Sequence, residues 1–142
     1  QPNIRAVVIG DGSFLNETRK LIQSENLNEN IVVTGFLGTE RYLYLQQSRI
    51  FVSPTYANEG FGLSIIEALY FKIPVVAYTQ PVFEEIFSNY RMIQLIHQDQ
   101  ETLKQSVVSF LKDTSPFKSE DLSKFSLSAC AQREFDALSH IF

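Results

Sequence analysis

Tryptophan is absent, and cysteine and methionine occur once each in the 142 residues. A lone thiol, Cys130, forms no internal disulfide, and with two histidines it makes a poor metal set. No metal is therefore expected, and a reducing cytosol is the expected compartment. No apolar run approaches the ~20 residues that span a bilayer, and no signal peptide is visible. Basic residues are in the minority: 12 Lys and Arg against 16 Asp and Glu leave a net charge of −4. That excludes a strong chain-wide cationic surface, so nucleic acid is not an expected partner. Internal repeats and low-complexity tracts are missing as well. What is present, 44% hydrophobic and 20% charged residues, is ordinary for a globular chain and argues against disorder. The length suits one domain, 1–142. The opening Gln1-Pro2-Asn3, with no Met, reads as part of something longer.

Apolar blocks alternate with helical patterns along the whole chain. Residues 4–9 are a short β-branched run closed by Gly10-Asp11-Gly12 and read as a buried strand. Ser13 is a candidate cap for a helix to about Glu25, with Phe14, Leu15, Leu21 and Ile22 on its inner stripe. A second strand follows at 31–34, then a short helix after Thr39 carrying Leu43 and Tyr44. A third strand at 50–53 is stopped by Pro54, and an apolar helix spans 63–71. Pro74 introduces a strand at 75–77, a short helix lies near 83–87, and a weaker strand lies at 92–96. Asp99 caps the next helix, where Leu103, Val107, Phe110 and Leu111 share one face. Pro116 breaks the chain, and 127–141 is a final amphipathic helix. Short apolar strands alternating with helices predict an α/β fold, a Rossmann-like three-layer open parallel sheet with helices on both faces. Ligands of such sheets sit beyond the carboxyl ends of the strands. The loops at 10–13, 35–39, 54–62 and 78–81 are therefore where chemistry is expected.

The third of these reads Pro54-Thr-Tyr-Ala-Asn-Glu59-Gly60-Phe61-Gly62-Leu63-Ser64-Ile-Ile-Glu67. A loop leaves a strand, passes Gly-x-Gly and enters a helix, whose free N–H groups and dipole favour an anion such as phosphate. Glycines at 60 and 62 allow close approach to the backbone. Glu59 and Glu67 would repel a phosphate, but they suit sugar hydroxyls on either side of a diphosphate.

Glu59 and Glu67, with seven residues between them, resemble the E-x7-E motif of glycosyltransferase family 4. The strand ending at Pro54 resembles the one that precedes that motif, and Ile73-Pro74-Val75-Val76-Ala77 resembles the one that follows it. Gly10-Asp11-Gly12 stands at the family's G-x-G turn, and Thr34-Gly35-Phe36-Leu37 resembles its x-G-x-V segment. The resemblance runs from about Arg5 to Phe87 and more loosely to Lys112. It implies the donor-binding C-terminal half of a GT-B enzyme that transfers a hexosyl group with retention and without a metal or other cofactor. By the same resemblance, Glu59 is the catalytic-site residue that accepts from donor-sugar hydroxyls, and Glu67 holds the ribose. Phe61, Gly62, Leu63 and Ser64 contact diphosphate and sugar through their backbone. Leu37 lies against the nucleobase, with Gly10 and Gly12 lining the same cleft. The implied partners are a nucleotide-sugar donor and a glycan or lipid-linked acceptor, the latter held by an N-terminal domain. The parent would be cytoplasmic; whether it touches a membrane is not decidable from these residues.

The chain also departs from that pattern. The Arg and Lys that the family supplies to the diphosphate from an upstream strand–loop–helix have no counterpart here. Weak donor binding and no turnover are therefore expected of this stretch alone, as is a sheet with one edge open or capped by a neighbouring chain. Lys72 replaces a glycine common two residues before the Pro, and Gln80-Pro81-Val82 stands where a glycine pair is common.

Plainer readings stand beside each of these. Ser64-x-x-Glu67 is also a capping-box pattern, and Glu59 beside Gly60 also suits a solvated turn. A dinucleotide fingerprint would need a third glycine where Leu15 stands. Phe61 reads as a loop anchor rather than a stacking platform. His97 and His140 read as surface or packing residues, Cys130 as core, and Phe135, Leu138 and Phe142 as packing. Lys118, Glu120, Asp121 and Lys124 read as a solvated face. The alternatives to a transferase are a non-catalytic Rossmann-like nucleotide-binding or interaction module and a GT-B sugar-nucleotide epimerase.

Overall fold

Largely apolar runs of three to five residues bounded by turns make the strands, and in the computed structural model every strand pairing is parallel. The structure describes residues 4–113 and 121–139. The readings made for Pro116, Lys118, Glu120, His140, Ile141, Phe142 and the side chains of Phe135 and Leu138 lie outside the described residues. The chain divides into two compact units, Gln1–Gln47 and Ser48–Phe142.

The first unit runs β1 (Ala6–Ile9), α1 (Leu15–Ser24), β2 (Ile31–Gly35) and α2 (Arg41–Gln47). β1 and β2 form a two-stranded sheet, Ala6 opposite Ile31 and Val8 opposite Val33, with an irregularity between Val8 and Ile9. The Thr34 hydroxyl donates to the Val8 carbonyl (3.3 Å), and the Asn30 side-chain amide donates to the Ile4 carbonyl (3.0 Å). β1 has one described neighbour, as an open edge requires, and is exposed along its whole length. α1 begins at Leu15 with Phe14 in the cap position, so Ser13 does not cap it. Ile22 is buried and Leu15 half-buried, whereas Phe14 and Leu21 are exposed: two of the four expected stripe positions turn outward. In α2 it is Leu45, not Leu43, that is buried.

The second unit runs β3 (Phe51–Ser53), α3 (Leu63–Tyr70), β4 (Val75–Tyr78), α4 (Pro81–Phe87), β5 (Ile93–Ile96), α5 (Gln100–Lys112), a 3-10 turn (Ser123–Phe125) and α6 (Leu127–Ser139). Its sheet has the order β3-β4-β5, with Val52 opposite Val76 and Ala77 opposite Leu95. The central strand is buried at every position, as a parallel strand covered on both faces must be. Val76, Tyr78 and Ile96 form a core cluster against which Ile50, Leu103 and Phe110 pack. Asp99 caps α5 as its sequence context predicts, its carboxylate accepting from the Thr102 amide at 2.9 Å. No described helix is long and apolar enough to cross a membrane.

Both α1 and α3 end in the same six-residue hydrogen-bonding pattern. Asn26 and Leu27 donate to the carbonyls of Gln23 and Ile22, and Lys72 and Ile73 donate to those of Leu69 and Ala68. This is a Schellman ending, which requires a left-handed residue just past the cap. Asn26 (φ +56°) and Lys72 (φ +60°) supply it. Lys72 thus holds the backbone conformation for which a glycine at that position is suited.

Candidate functional site

Because β3 and β4 are parallel neighbours, the loops leaving their carboxyl ends lie side by side. The first is the stretch 54–62; the second is Thr79-Gln80, which opens α4. Glu59 is exposed in the first loop, and Glu67, half-buried, is the fifth residue of α3.

Gly62 is the cap residue of α3 and sits at φ +80°, ψ 45°, with no side chain capping the helix. Ile65 and Ile66 donate to its carbonyl at 2.9 and 3.2 Å. The amides of Leu63 and Ser64 precede the first intrahelical bonds, so helix geometry gives them no backbone acceptor. Ser64 is the second helical residue rather than the cap, so the capping-box reading of Ser64 and Glu67 does not apply. Gly62 is required twice over. Its φ is one that L side chains rarely adopt, and a Cβ there would stand 2.8 Å from Cε1 of Phe83.

The loop is held from three directions. Gln80 is buried, with 3% of its surface exposed. Its Oε1 accepts from the Glu59 amide at 2.9 Å, while its Nε2 donates to the carbonyls of Thr55 (3.0 Å) and Ala57 (2.9 Å). The Tyr56 ring lies 5.1 Å from that of Tyr78. The Tyr78 phenol is held above its ordinary 10.0, first by a hydrogen bond with Tyr56 and then by burial. Phe61 meets Phe125 edge-on at 5.8 Å, and Phe125 in turn packs against Phe87 and Tyr90 at 6.2 Å each. Phe61 is therefore an anchor, as its setting between two glycines suggests. Lys124 is exposed, as a solvated face requires, and so is Asp121. The Lys124 Nζ stands 4.8 Å above the Tyr90 ring and donates to the Ile86 carbonyl. Cys130 is half-buried and accepts from Arg133 at 3.2 Å.

Phe61, Gly62, Leu63 and Ser64 thus lie together at the amino end of α3, immediately after Glu59. Gly10, Gly12 and Leu37 belong to the first unit. Gly10 (φ +150°) and Gly12 (φ +155°) form the turn after β1, with nothing within 4 Å of a Cβ built at either. The Asp11 carboxylate accepts from the Gly12 amide at 2.8 Å. Leu37 is half-buried in the loop between β2 and α2. Among the described residues there is no group of three His, Cys, Asp or Glu able to hold a metal ion.

Gln80 and Phe125 are the residues that sequence reasoning did not assign to the site. Gln80 carried one signal: it occupies the cap position of α4 before Pro81, where Ser, Thr, Asp or Asn is the usual choice. Phe125 carried none, because its partners lie dozens of residues away along the chain.

A parallel α/β core with loops gathered beyond the carboxyl ends of its strands defines an open-sheet α/β class of fold. The particular family follows from comparison: residues 1–126 match the family described as glycosyl transferases group 1, and the chain belongs to it. It is 25% identical over 125 residues to the alpha-monoglucosyldiacylglycerol synthase of Streptococcus pneumoniae, covering 87% of this chain and 28% of that protein. It is 38% identical over 71 residues to the poly(ribitol-phosphate) alpha-N-acetylglucosaminyltransferase of Staphylococcus aureus, covering 50% of this chain and 14% of that protein. The crystal structure of TarM, a GT-B glycosyltransferase, is similar at a TM-score of 0.64 and 28% identity, covering 76% of this chain and 21% of that one. The chain therefore spans 28% or less of the length of each of these three proteins.

Proposed function

We propose that this chain is the nucleotide-sugar-binding part of a retaining glycosyltransferase that passes a hexosyl group to a glycan or lipid-linked acceptor. The observation that carries the reading is the amino end of α3. There an uncapped helix start led by left-handed Gly62 is flanked by Glu59 before it and Glu67 within it. Peptide N–H groups and the helix dipole would stabilise the diphosphate of the donor, both bound and as it departs. Glu59 would accept hydrogen bonds from the sugar hydroxyls and Glu67 from the ribose, roles in which a carboxylate is a strong acceptor. The reading asks for no metal. The names of the relatives, one a synthase of alpha-monoglucosyldiacylglycerol and one an alpha-N-acetylglucosaminyltransferase of poly(ribitol-phosphate), support sugar transfer to a large or lipid-linked acceptor.

Calorimetric titration of UDP-glucose, GDP-mannose and ADP-glucose tests the reading. Saturable binding of one donor is expected. Glu67→Gln, which removes a charge-assisted hydrogen bond, should weaken it about tenfold or more. Glu101→Gln, on the exposed face of α5, should leave it unchanged. Equal losses in the two variants would sink the proposal.

A further inference from the structure

A glutamine at a helix cap is a poor local choice, because its longer side chain does not fold back onto the helix as Asp, Asn, Ser or Thr does. Gln80 makes no side-chain cap to α4, and Pro81 at the helix start has no N–H to satisfy. The backbone carbonyl of Gln80 alone serves α4, accepting from Phe83 and Glu84 at 3.0 Å each. Its side-chain amide is spent elsewhere: both Nε2 protons and Oε1 bond the backbone of the neighbouring loop at Thr55, Ala57 and Glu59. A buried amide with all three contacts directed at one loop is a local rule broken for a tertiary purpose.

From this placement we infer that Gln80 is a positioning residue, a buried strap that fixes the backbone of Glu59 so that its carboxylate meets the sugar of the donor. The inference rests on the donor-binding reading above and adds to it a residue that touches neither sugar nor nucleotide. The geometry explains the division of labour. The strap closes at the Glu59 amide, two residues before Phe61, which the aromatic cluster around Phe125 holds separately. Losing the strap frees the stretch from Thr55 to Glu59, while Gly62 and the amino end of α3 stay fixed by Phe83 and Phe61. The sugar's share of donor binding should fall, and the diphosphate's share should not.

Gln80→Met keeps the length of the side chain and removes its three hydrogen bonds to the loop. Gln80→Glu keeps an acceptor for the Glu59 amide and sets a carboxylate against two carbonyls. In the intact protein, amide hydrogen exchange at Glu59 should accelerate about tenfold or more in Gln80→Met and by less in Gln80→Glu, with β4 protection unchanged. Affinity for the nucleotide-sugar should drop about tenfold in Gln80→Met, while affinity for the bare nucleoside diphosphate stays within about twofold. The pairs to compare are UDP-glucose with UDP, GDP-mannose with GDP and ADP-glucose with ADP, with Glu59→Gln as the reference. If Glu59→Gln loses the sugar-dependent increment and Gln80→Met does not, the strap is overturned and the donor reading survives. If neither loses it, or no pair binds, the donor reading itself falls. Unchanged exchange at Glu59 in Gln80→Met overturns the strap without any ligand, and equal losses for sugar-nucleotide and nucleotide reduce Gln80 to general support of the fold.

Discussion

β1 and β4 are nearly the same strand in sequence, Ala-Val-Val-Ile and Val-Val-Ala-Tyr, and they have opposite fates. Val7, Val8 and Ile9 are 42%, 43% and 36% exposed, while β4 is no more than 2% exposed at any position. Both are parallel strands preceding a helix. The difference is the neighbourhood: β4 lies between β3 and β5 with α5 packed upon it, and among the described residues β1 has β2 on one side only. An apolar four-residue run specifies that a strand can be buried; the layers around it decide whether it is. The better-covered unit is also the one that carries Glu59, Glu67 and the amino end of α3, where loop geometry must be held tightly to be of use.

A charge placed at the two strands tests this contrast most severely. Val76→Asp should cost about 4 kcal/mol or more, since a carboxylate there has no partner. Val8→Asp should cost about 1 kcal/mol or less. Urea unfolding followed by tyrosine fluorescence and circular dichroism reads both, and comparable losses would erase the distinction between the strands.

Two glycines with nearly the same φ sharpen it further. Gly35 (φ +78°) has open space around a built Cβ, whereas Gly62 (φ +80°) has Phe83 at 2.8 Å. Gly35→Ala should therefore show the conformational cost alone, about 1–2 kcal/mol. Gly62→Ala should add an overpacking cost and reach about 2–4 kcal/mol. Matching losses would mean that the aromatic cluster yields freely.

The paired helix endings offer a smaller contrast. Lys72→Gly should stabilise the second unit by about 1 kcal/mol by relieving a left-handed lysine. Asn26→Gly in the first unit should gain only a few tenths, because Asn tolerates that conformation. A destabilised Lys72→Gly would show that its side chain has a role that outweighs the strain.

The smallest effect is electrostatic. Hydrogen bonds from Thr102, side chain first and backbone second, hold the Asp99 carboxyl below its ordinary 3.8. A depressed value means that the contribution is complete above 3.8 and fades as pH falls through the folded-state value. Asp99→Asn keeps a cap acceptor and removes the titration. The stability difference between wild type and variant should therefore shrink from neutral pH to below 3.8; curves that stay parallel would refute the assignment.

Much of the fold was legible because strands and helices here follow local rules. The strand at 75–77 is observed one residue longer, the apolar helix at 63–71 one residue shorter, and Asp99 caps where its position says it should. The E-x7-E segment falls, as read, on a loop and helix beyond a strand's carboxyl end. What local reading mistook were choices made between elements: Phe14 and Leu21 look like core residues on a helical wheel, yet they face out. Ser64 looks like a cap until Gly62 takes that place with a left-handed backbone. Phe125, in a stretch whose charges mix both signs, is drawn onto Tyr90 by a return of the chain that no nearby residue announces.

The sequence by itself determined the alternation of strand and helix, the parallel pairing and the order of glycines and carboxylates around α3, because these depend on periodicity, turn chemistry and spacing along the chain. Only the tertiary structure decided which apolar runs are covered, which residue caps α3 and which side chain straps the loop bearing Glu59. Burial, close approach and the hydrogen bonds of Gln80 depend on what stands opposite a residue in space, and that neighbour is set by the packing of whole elements.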